Sequence, residues 1–137
     1  MKTVADWAHD LLAALKIVPK DQNVAALIGW AACEGGGILG TGDEVAHFNP
    51  LNTTQNYQGA ISINRCGVKQ YPTYAAGIAA TIATLRLAPY AQIVKDLASN
   101  ANADQVLADI GKSPWGTHPH WKASELQGWG KRKLVNT

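Results

Sequence analysis

The stretch NVAALIGWAACEGGGILGTGDEVAHFNPLNTT, from Asn23 to Thr54, joins an apolar helix, a carboxyl group and a polar loop. Its first part has the periodicity of a helix and reaches an acid at Glu34, which three consecutive glycines follow. Gly35 can adopt the left-handed conformation that ends helices. The later part is rich in residues that favour turns over packing. A carboxyl group at the end of a buried helix, facing a polar segment, suits a site that donates a proton.

The predicted surroundings of Glu34 favour its neutral, protonated form. Glu34 projects from the same side of the helix as Leu27, Trp30 and Ala31, because residues three, four and seven apart share a face. The C-terminus of a helix carries partial negative charge, and apolar neighbours remove water from the carboxyl group. A protonated acid beside a polar cleft is what cleavage of a glycosidic bond requires. The pattern alone also allows an ordinary exposed glutamate at a helix end.

The rest of the chain predicts a mostly helical α+β domain, with about five helices and one small hairpin. The hairpin is predicted from the alternating runs 60–63 and 68–71, joined by 64–67. Gly77 lies inside a predicted helix, and we expect close backbone approach there, against the helix that carries Glu34. The first two predicted helices are 4–17, capped by Thr3, and 22–34, capped by Asp21, and the third is 73–87. A fourth helix is marked by the apolar spacing of Tyr90, Ile93, Val94 and Leu97. A fifth is marked by Val106, Leu107 and Ile110 and is capped by Asn102.

Length and composition narrow the class of protein. The 137 residues suit a single domain, 1–137, with a core over about 4–117 and an irregular or weakly helical tail over 118–137. A net charge of +2 is too small to indicate a nucleic-acid partner, and no apolar run is long enough for a membrane span. Asp6, His9 and Asp10 interrupt the apolar pattern near the N-terminus, so we expect no standard signal peptide.

Several short motifs, in this order, resemble a lysozyme-like family found in bacteriophage endolysins and tail-associated murein hydrolases. The resemblance covers roughly residues 20–118 and depends on the combination, since no single motif is very specific. Glucosaminidases and lytic transglycosylases are more distantly similar. The motifs are EGG at 34–36, HFNPLNTT at 47–54, Asn64 with Gly67 and Val68, YPTY at 71–74 with Gly77, Ala80, Thr81 and Leu85, and SPWGT at 113–117.

The resemblance implies a lysozyme-like fold and a bacteriolytic glycosidase that cleaves the glycan strand of peptidoglycan. Glu34 would be the general acid. Asn49, Asn52 and Thr54 would line the substrate cleft, and Tyr71 would contact a sugar at the exit of the hairpin. No cofactor or metal is implied. We expect a monomer that acts on the cell wall from the host cytoplasm at lysis, or from a virion tail during entry, alongside other lysis or virion proteins.

The sequence leaves the second catalytic group open. Hydrolysis through a nucleophile or an activated water usually needs a second carboxylate, and Asp43 and Glu44 are the only acids between Glu34 and Asp96. Alternatively, the N-acetyl group of the substrate could assist, or its 6-hydroxyl could attack and form an anhydro-sugar, as in lytic transglycosylases.

Two other classes of protein remain as alternatives. In a cysteine peptidase or amidase, Cys33 would be the nucleophile and His47 or His118 its base, although a helix C-terminus does not favour a thiolate. In a non-catalytic wall-binding or virion module, exposed Trp115, Trp121 and Trp129 would be sugar platforms. The spacing of His47, His118 and His120 does not match a zinc motif.

The lysozyme-like fold would also allow a Cys33–Cys66 disulfide in an oxidising setting, because it packs the hairpin near the helix that ends in the acid. Two buried thiols are the preferred interpretation.

Overall fold

The computed structural model of the protein describes residues 1–38 and 45–135. It confirms the mostly helical α+β class, with six α-helices and one two-stranded sheet in the described ranges. The elements are α1 (Val4–Ala14), α2 (Asp21–Glu34), β1 (Ile61–Ser62), β2 (Lys69–Gln70), α3 (Tyr74–Leu85), α4 (Ala91–Ala98), α5 (Ala103–Lys112) and α6 (Ala123–Leu126), with 3₁₀ segments at Ala88–Tyr90 and Gln127–Lys131.

Helix α2 is the centre of the domain. It packs against α1, α4, α5, α6 and the second 3₁₀ segment. Because it has neighbours on several sides, it buries more than one face, and Leu27, Trp30 and Ala31 are completely enclosed. The last residue of this helix is Glu34. The acid therefore projects from the best-packed element of the fold.

Local sequence signals place the helix ends well. Thr3 caps α1 in a reciprocal capping box with Asp6, and Asn102 accepts a hydrogen bond from the backbone of α5. Thr73 caps α3 in the same way as Asn102 caps α5. The predicted cap Asp21 is instead the first residue of α2, and the cap position is Lys20.

The predicted hairpin is confirmed, although its strands are short. Strands β1 and β2 pair antiparallel, with Ile61 opposite Gln70 and Ser62 opposite Lys69. The turn is closed by Asn64, whose side-chain oxygen accepts from the backbone N–H groups of Cys66 and Val68.

The expectation of an irregular tail beyond residue 117 is wrong in part. Residues 123–131 are helical, and Ala123, Leu126 and Leu134 are buried. The chain then returns to its own start, where Thr3 and Lys133 form an isolated antiparallel bridge. The apolar periodicity of this segment was hard to detect in the sequence because helix α6 has only four residues. The tail belongs to the packed domain.

Close backbone approach at Gly77 is confirmed, but the predicted partner is wrong. A Cβ atom at this position would overlap the backbone carbonyl group of Phe48, which belongs to the loop after Gly37 and not to α2. The missing side chain lets helix α3 touch this loop. The loop leads directly into the polar residues near Glu34.

We predict that Gly77→Ala destabilises the protein by about 2 kcal/mol or more, because the added methyl group would displace a backbone carbonyl that cannot move alone. Thermal or urea unfolding measures the change. Gly128→Ala is the matched control, since a Cβ there meets no atom within 4 Å and the substitution should be close to neutral. Equal stability of the two variants would contradict the packing at Gly77.

Two carboxyl groups meet between helices α4 and α5. Asp96 is only 6% exposed, and its Oδ2 atom accepts no hydrogen bond within the described residues. Gln92 donates to the Oδ1 atom of Asp96 (2.7 Å), and Gln105 donates to the Oδ1 atom of Asp109 (3.1 Å). Burial, and then the interaction with Asp109, raises the pKa of Asp96, and the same interaction lowers the pKa of Asp109. Asp96 is therefore protonated more readily than an ordinary aspartate, and its titration is linked to that of Asp109.

The opposite pKa shifts determine how this pair affects stability. The raised pKa of Asp96 adds stability that is fully present below the unfolded aspartate pKa of 3.8 and is lost as pH rises through the folded value. The lowered pKa of Asp109 adds stability above 3.8 that is lost as pH falls through its folded value. The pair is most stabilising while it holds one proton. Lys95 and Lys112 are the nearby cations that act on these carboxyl groups.

We predict that Asp96→Asn removes the alkaline part of this dependence, because the amide carries no titratable proton. The difference in melting temperature between wild type and variant should grow in favour of the variant as pH rises above about 4. Thermal melting of both proteins between pH 4 and 9 measures this difference. The histidines are the same in both proteins, so their effect on the melting temperature cancels when the two values are subtracted. A constant difference would contradict the raised pKa of Asp96.

Candidate active site

Glu34 lies half-buried where helix α2 ends. Gly35 follows in the left-handed conformation, with φ of 69°, and its N–H group donates to the carbonyl of Ala31 (2.7 Å), as the sequence predicts. The carboxyl group faces a cleft of about 250 Å³. The cleft is lined by Glu34, Gly35, Gly36, Gly37, Val45, Ala46, Asn52, Ile63, Asn64 and Val68.

Two side chains hold the carboxyl group of Glu34 from different parts of the chain. The hydroxyl of Thr117 donates to Oε1 at 2.5 Å. The amide of Asn52 donates to Oε2 at 3.1 Å and also to the backbone carbonyl of Glu34 at 3.0 Å. Both oxygens are thus oriented by a donor, and the direction of the carboxyl group is defined before any ligand binds.

Thr117 is itself held by the buried helix. The indole N–H of Trp30 donates to its hydroxyl oxygen at 2.9 Å. The ring of Trp115 packs edge-on against Trp30, with centroids 4.8 Å apart, and its own N–H donates to the carbonyl of Leu51 at 2.8 Å. Trp115, predicted to be exposed, is therefore half-buried and joins the 113–117 segment to the loop before Asn52.

The loop carrying Asn52 comes close to the glycines after Glu34. A Cβ on Gly36 would lie 2.5 Å from the Oδ1 atom of Asn52 and 2.9 Å from the carbonyl of Pro50. Gly36 also donates its N–H to that carbonyl, at 3.2 Å. Asn52 adopts φ of 55°, a left-handed conformation that asparagine tolerates better than most residues. The missing side chain of Gly36 and the left-handed conformation of Asn52 together permit this contact.

A second cleft, of about 200 Å³, also has Asn52 in its lining. Asn52 is common to both clefts, and its amide holds the Glu34 carboxyl group. The residues that line the second cleft are Asn52, Thr53, Thr54, Thr84, Tyr90, Pro114 and Trp115.

The predicted substrate-binding residues differ in whether they line a cleft or are buried. Asn52 and Thr54 line the clefts, as predicted. Asn49 is fully buried, and its side chain bonds to the backbone of Thr53 and Lys69. It shapes the loop from behind, and the prediction that it lines the cleft finds no support here.

Tyr71 also points inward. It is 3% exposed, and its hydroxyl donates to the carbonyl of Gln55 at 2.6 Å. Burial raises the pKa of Tyr71 to about 12. Neither cleft includes this residue, so the predicted sugar contact is without support in the described structure. The candidate second acids, Asp43 and Glu44, lie outside the described residues.

Sequence reasoning missed the role of Thr117. The residue was part of the SPWGT motif, but it lies 83 positions from Glu34, and no local pattern connects the two. The available signal was the neighbouring Trp115, because a buried aromatic residue in a turn-rich segment indicates that the segment packs on the core. Asn64 and Val68 were quoted in the resemblance without a role, and both line the cleft at Glu34.

The surroundings of Cys33, Cys66 and His47 do not favour a cysteine nucleophile. Cys33 and Cys66 are free thiols, half-buried and exposed respectively, so the expected burial is wrong for Cys66. Burial, and then the charge of Glu34, raises the pKa of Cys33, which opposes its use as a nucleophile. His47 is buried and lies 3.4 Å from the carbonyl of Val135. Among the described side chains, no three potential ligands are placed to hold a metal ion.

The remaining tryptophans differ in exposure. Trp129 is half-buried, with the guanidinium of Arg132 over its ring at 4.1 Å. Trp121 is 55% exposed and lines a separate cleft of about 450 Å³ with His120, Lys122 and Asp104. Of the three predicted sugar platforms, Trp121 is the one with an open face.

Comparison of the chain with protein-family models, curated proteins and solved structures gives no match. Within residues 1–38 and 45–135, no helix alone has the length and apolar character to cross a bilayer, and one pair, Tyr74–Leu85 with Ala88–Ala98, bent by 88°, meets those two criteria together.

We predict that the two thiols react with Ellman's reagent at different rates, Cys66 first, because Cys66 is exposed and the pKa of Cys33 is raised. Glu34→Gln should speed the reaction of Cys33, since it removes a nearby negative charge. Cys66→Ser isolates the Cys33 signal in both backgrounds. An unchanged or slower rate would contradict the proximity of the Cys33 thiol to the Glu34 charge.

Proposed function

We propose that this protein is a lysozyme-like, peptidoglycan-degrading glycosidase with Glu34 as its general acid. The observation that carries the proposal is the Glu34 carboxyl group, which lines one cleft and is held by Thr117 and by Asn52, a residue that lines two clefts. A helix ending in this acid, a polar loop and a small hairpin across the cleft are the elements that the resemblance predicts. The lysozyme-like fold is part of the proposal.

The two clefts suit a polymeric substrate. A glycosidic bond is cleaved between two sugars, so an enzyme that cuts within a strand must bind units on both sides of its acid. Amide and hydroxyl groups of Asn52, Asn64 and Thr54 line these clefts and can bond to sugar hydroxyl and N-acetyl groups. The described lining contains no lysine or arginine, which suits an uncharged glycan better than an anionic ligand.

In the reaction, Glu34 transfers its proton to the oxygen of the scissile bond. The bond from the anomeric carbon to that oxygen breaks, its electron pair stays on the oxygen, and positive charge develops on the sugar ring. Within the described part of both clefts, Glu34 is the one carboxyl group. Three routes complete the reaction: a water or nucleophile assisted by Asp43 or Glu44, the N-acetyl group of the substrate, or its 6-hydroxyl.

The biological setting follows from the same resemblance. We propose that the enzyme degrades the bacterial cell wall during phage infection, at lysis or at entry, together with other lysis or virion proteins. Both settings bring a folded single-domain enzyme to peptidoglycan.

A non-catalytic wall-binding module is the second candidate, because exposed Trp121 lines a cleft of about 450 Å³. Exposed aromatic rings can stack on the apolar faces of sugars. The cysteine peptidase is less favoured, because the raised pKa of Cys33 works against a thiolate.

We predict that Glu34→Gln lowers the rate of glycan cleavage by about 10²-fold or more, because the amide cannot donate a proton to the leaving oxygen. Purified peptidoglycan is incubated with each protein, and mass spectrometry identifies the released fragments. Reducing ends would indicate hydrolysis, and anhydro-sugars would indicate a lytic transglycosylase.

Glu125→Gln is the matched control for this experiment. Glu125 is exposed on helix α6, and a glutamine there keeps the capping interaction with Lys122. The control should cleave at the wild-type rate. Free stem peptides, released by a thiol-dependent activity, would overturn the proposal in favour of a cysteine enzyme, and bound but intact wall would favour the binding module.

A further inference from the structure

We propose that Trp30 and Thr117 form a fixed hydrogen-bond relay that assigns different tasks to the two oxygens of Glu34. In this relay, Oε1 accepts a permanent hydrogen bond from Thr117, and Oε2 carries the proton that is transferred to substrate. The inference rests on the proposed function of Glu34 and deepens it by naming a positioning residue and a catalytic oxygen.

The direction of the relay follows from donor and acceptor chemistry. An indole N–H can only donate, so the hydroxyl oxygen of Thr117 must accept from Trp30 at 2.9 Å. The single hydroxyl proton of Thr117 is then free to point to Oε1 of Glu34, 2.5 Å away. Thr117 is 4% exposed, so water has little access to compete for this proton. The bond exists whether Glu34 is neutral or charged.

The relay leaves Oε2 as the oxygen on the substrate side. Its protein donor is Asn52, at 3.1 Å, and Asn52 lines both clefts, whereas Thr117 lines neither. A carboxyl oxygen has two lone-pair positions, so Oε2 can accept from Asn52 and hold a proton at the same time. The geometry therefore places the transferable proton beside the clefts and the fixed hydrogen bond toward the core.

The relay also assists the chemical step. When Oε2 gives its proton to the glycosidic oxygen, the carboxyl group gains a negative charge that is shared by both oxygens. The Thr117 bond then changes from a neutral to a charge-assisted hydrogen bond, which is stronger. An interaction that strengthens as the reaction proceeds lowers the barrier rather than merely binding the substrate.

Rigid packing keeps the relay in place. Trp30 is fully buried in α2, and the ring of Trp115, two positions before Thr117, packs against it edge-on. Tyr90 in turn packs edge-on against Trp115, with centroids 5.2 Å apart. This aromatic cluster sets the position of the 113–117 segment and hence the distance from Thr117 to Glu34.

Removal of the Thr117 hydroxyl tests the relay. We expect Thr117→Val to lower kcat about 10- to 100-fold with little change in KM, because positioning of the acid is lost while the sugar-binding groups remain. The alkaline limb of the kcat profile should move to higher pH, because the charged carboxylate loses a donor. Thr117→Ser keeps the hydroxyl, so its kcat should lie within about threefold of the wild-type value.

Trp30→Phe provides a second, independent variant. It removes the indole N–H while keeping most of the packing, so Thr117 loses its fixed orientation, and kcat should fall about 3- to 10-fold. Thermal melting of every variant shows that the assay is made on folded protein. If Thr117→Val does not fold, the kcat and pH profile of Trp30→Phe test the relay in its place.

The outcomes separate this inference from the proposed function. A wild-type protein that releases no glycan fragment overturns both. An active wild type, with folded Thr117→Val and Trp30→Phe that match its kcat and pH profile, overturns the relay and leaves Glu34 as the acid. Reduced activity in both Thr117→Val and Thr117→Ser would assign Thr117 a packing role and would also overturn the relay.

Discussion

One buried amide, that of Asn49, supports the geometry on which the candidate site depends. Its Nδ2 atom donates to the carbonyls of Thr53 (2.9 Å) and Lys69 (2.7 Å), and its Oδ1 atom accepts from the N–H of Thr53 (2.9 Å). No part of the residue is exposed to solvent, so these bonds have no competition from water and each is costly to lose. They close the loop that carries Asn52 and join it to strand β2.

The candidate acid depends on chain segments that are far apart in sequence. Glu34 ends the central helix, Asn52 approaches from the loop, and Thr117 approaches from the segment after α5. The glycines after Glu34 allow the loop to come close, and Gly77 allows helix α3 to support the same loop through Phe48. Small residues therefore sit where backbone must touch backbone, and polar side chains sit where the carboxyl group must be oriented.

The ends of the chain close the structure around helix α2. The N–H of Val4 donates to the carbonyl of Arg132, and the N–H of Leu134 donates to the carbonyl of Lys2. These bonds fix the start of α1 against the residues that follow α6. The core helix that presents Glu34 is consequently packed against both α1 and the 127–131 segment.

Sequence by itself determined the features that depend on neighbouring residues. Apolar periodicity located the main helices, Thr3, Thr73 and Asn102 marked their starts, and Gly35 marked the end of α2 just after the acid. These signals are local, because caps, turns and helical faces involve residues within a few positions of one another. The hairpin was predictable for the same reason.

Only the tertiary structure decided which polar residues face the clefts. Asn49 and Asn52 are three positions apart in one loop, yet the first is fully enclosed and the second holds Glu34. Tyr71 turned inward to bond to Gln55, and Thr117 reached the acid across 83 positions. Such choices depend on long-range hydrogen bonds and on burial, which a one-dimensional pattern of residues does not contain.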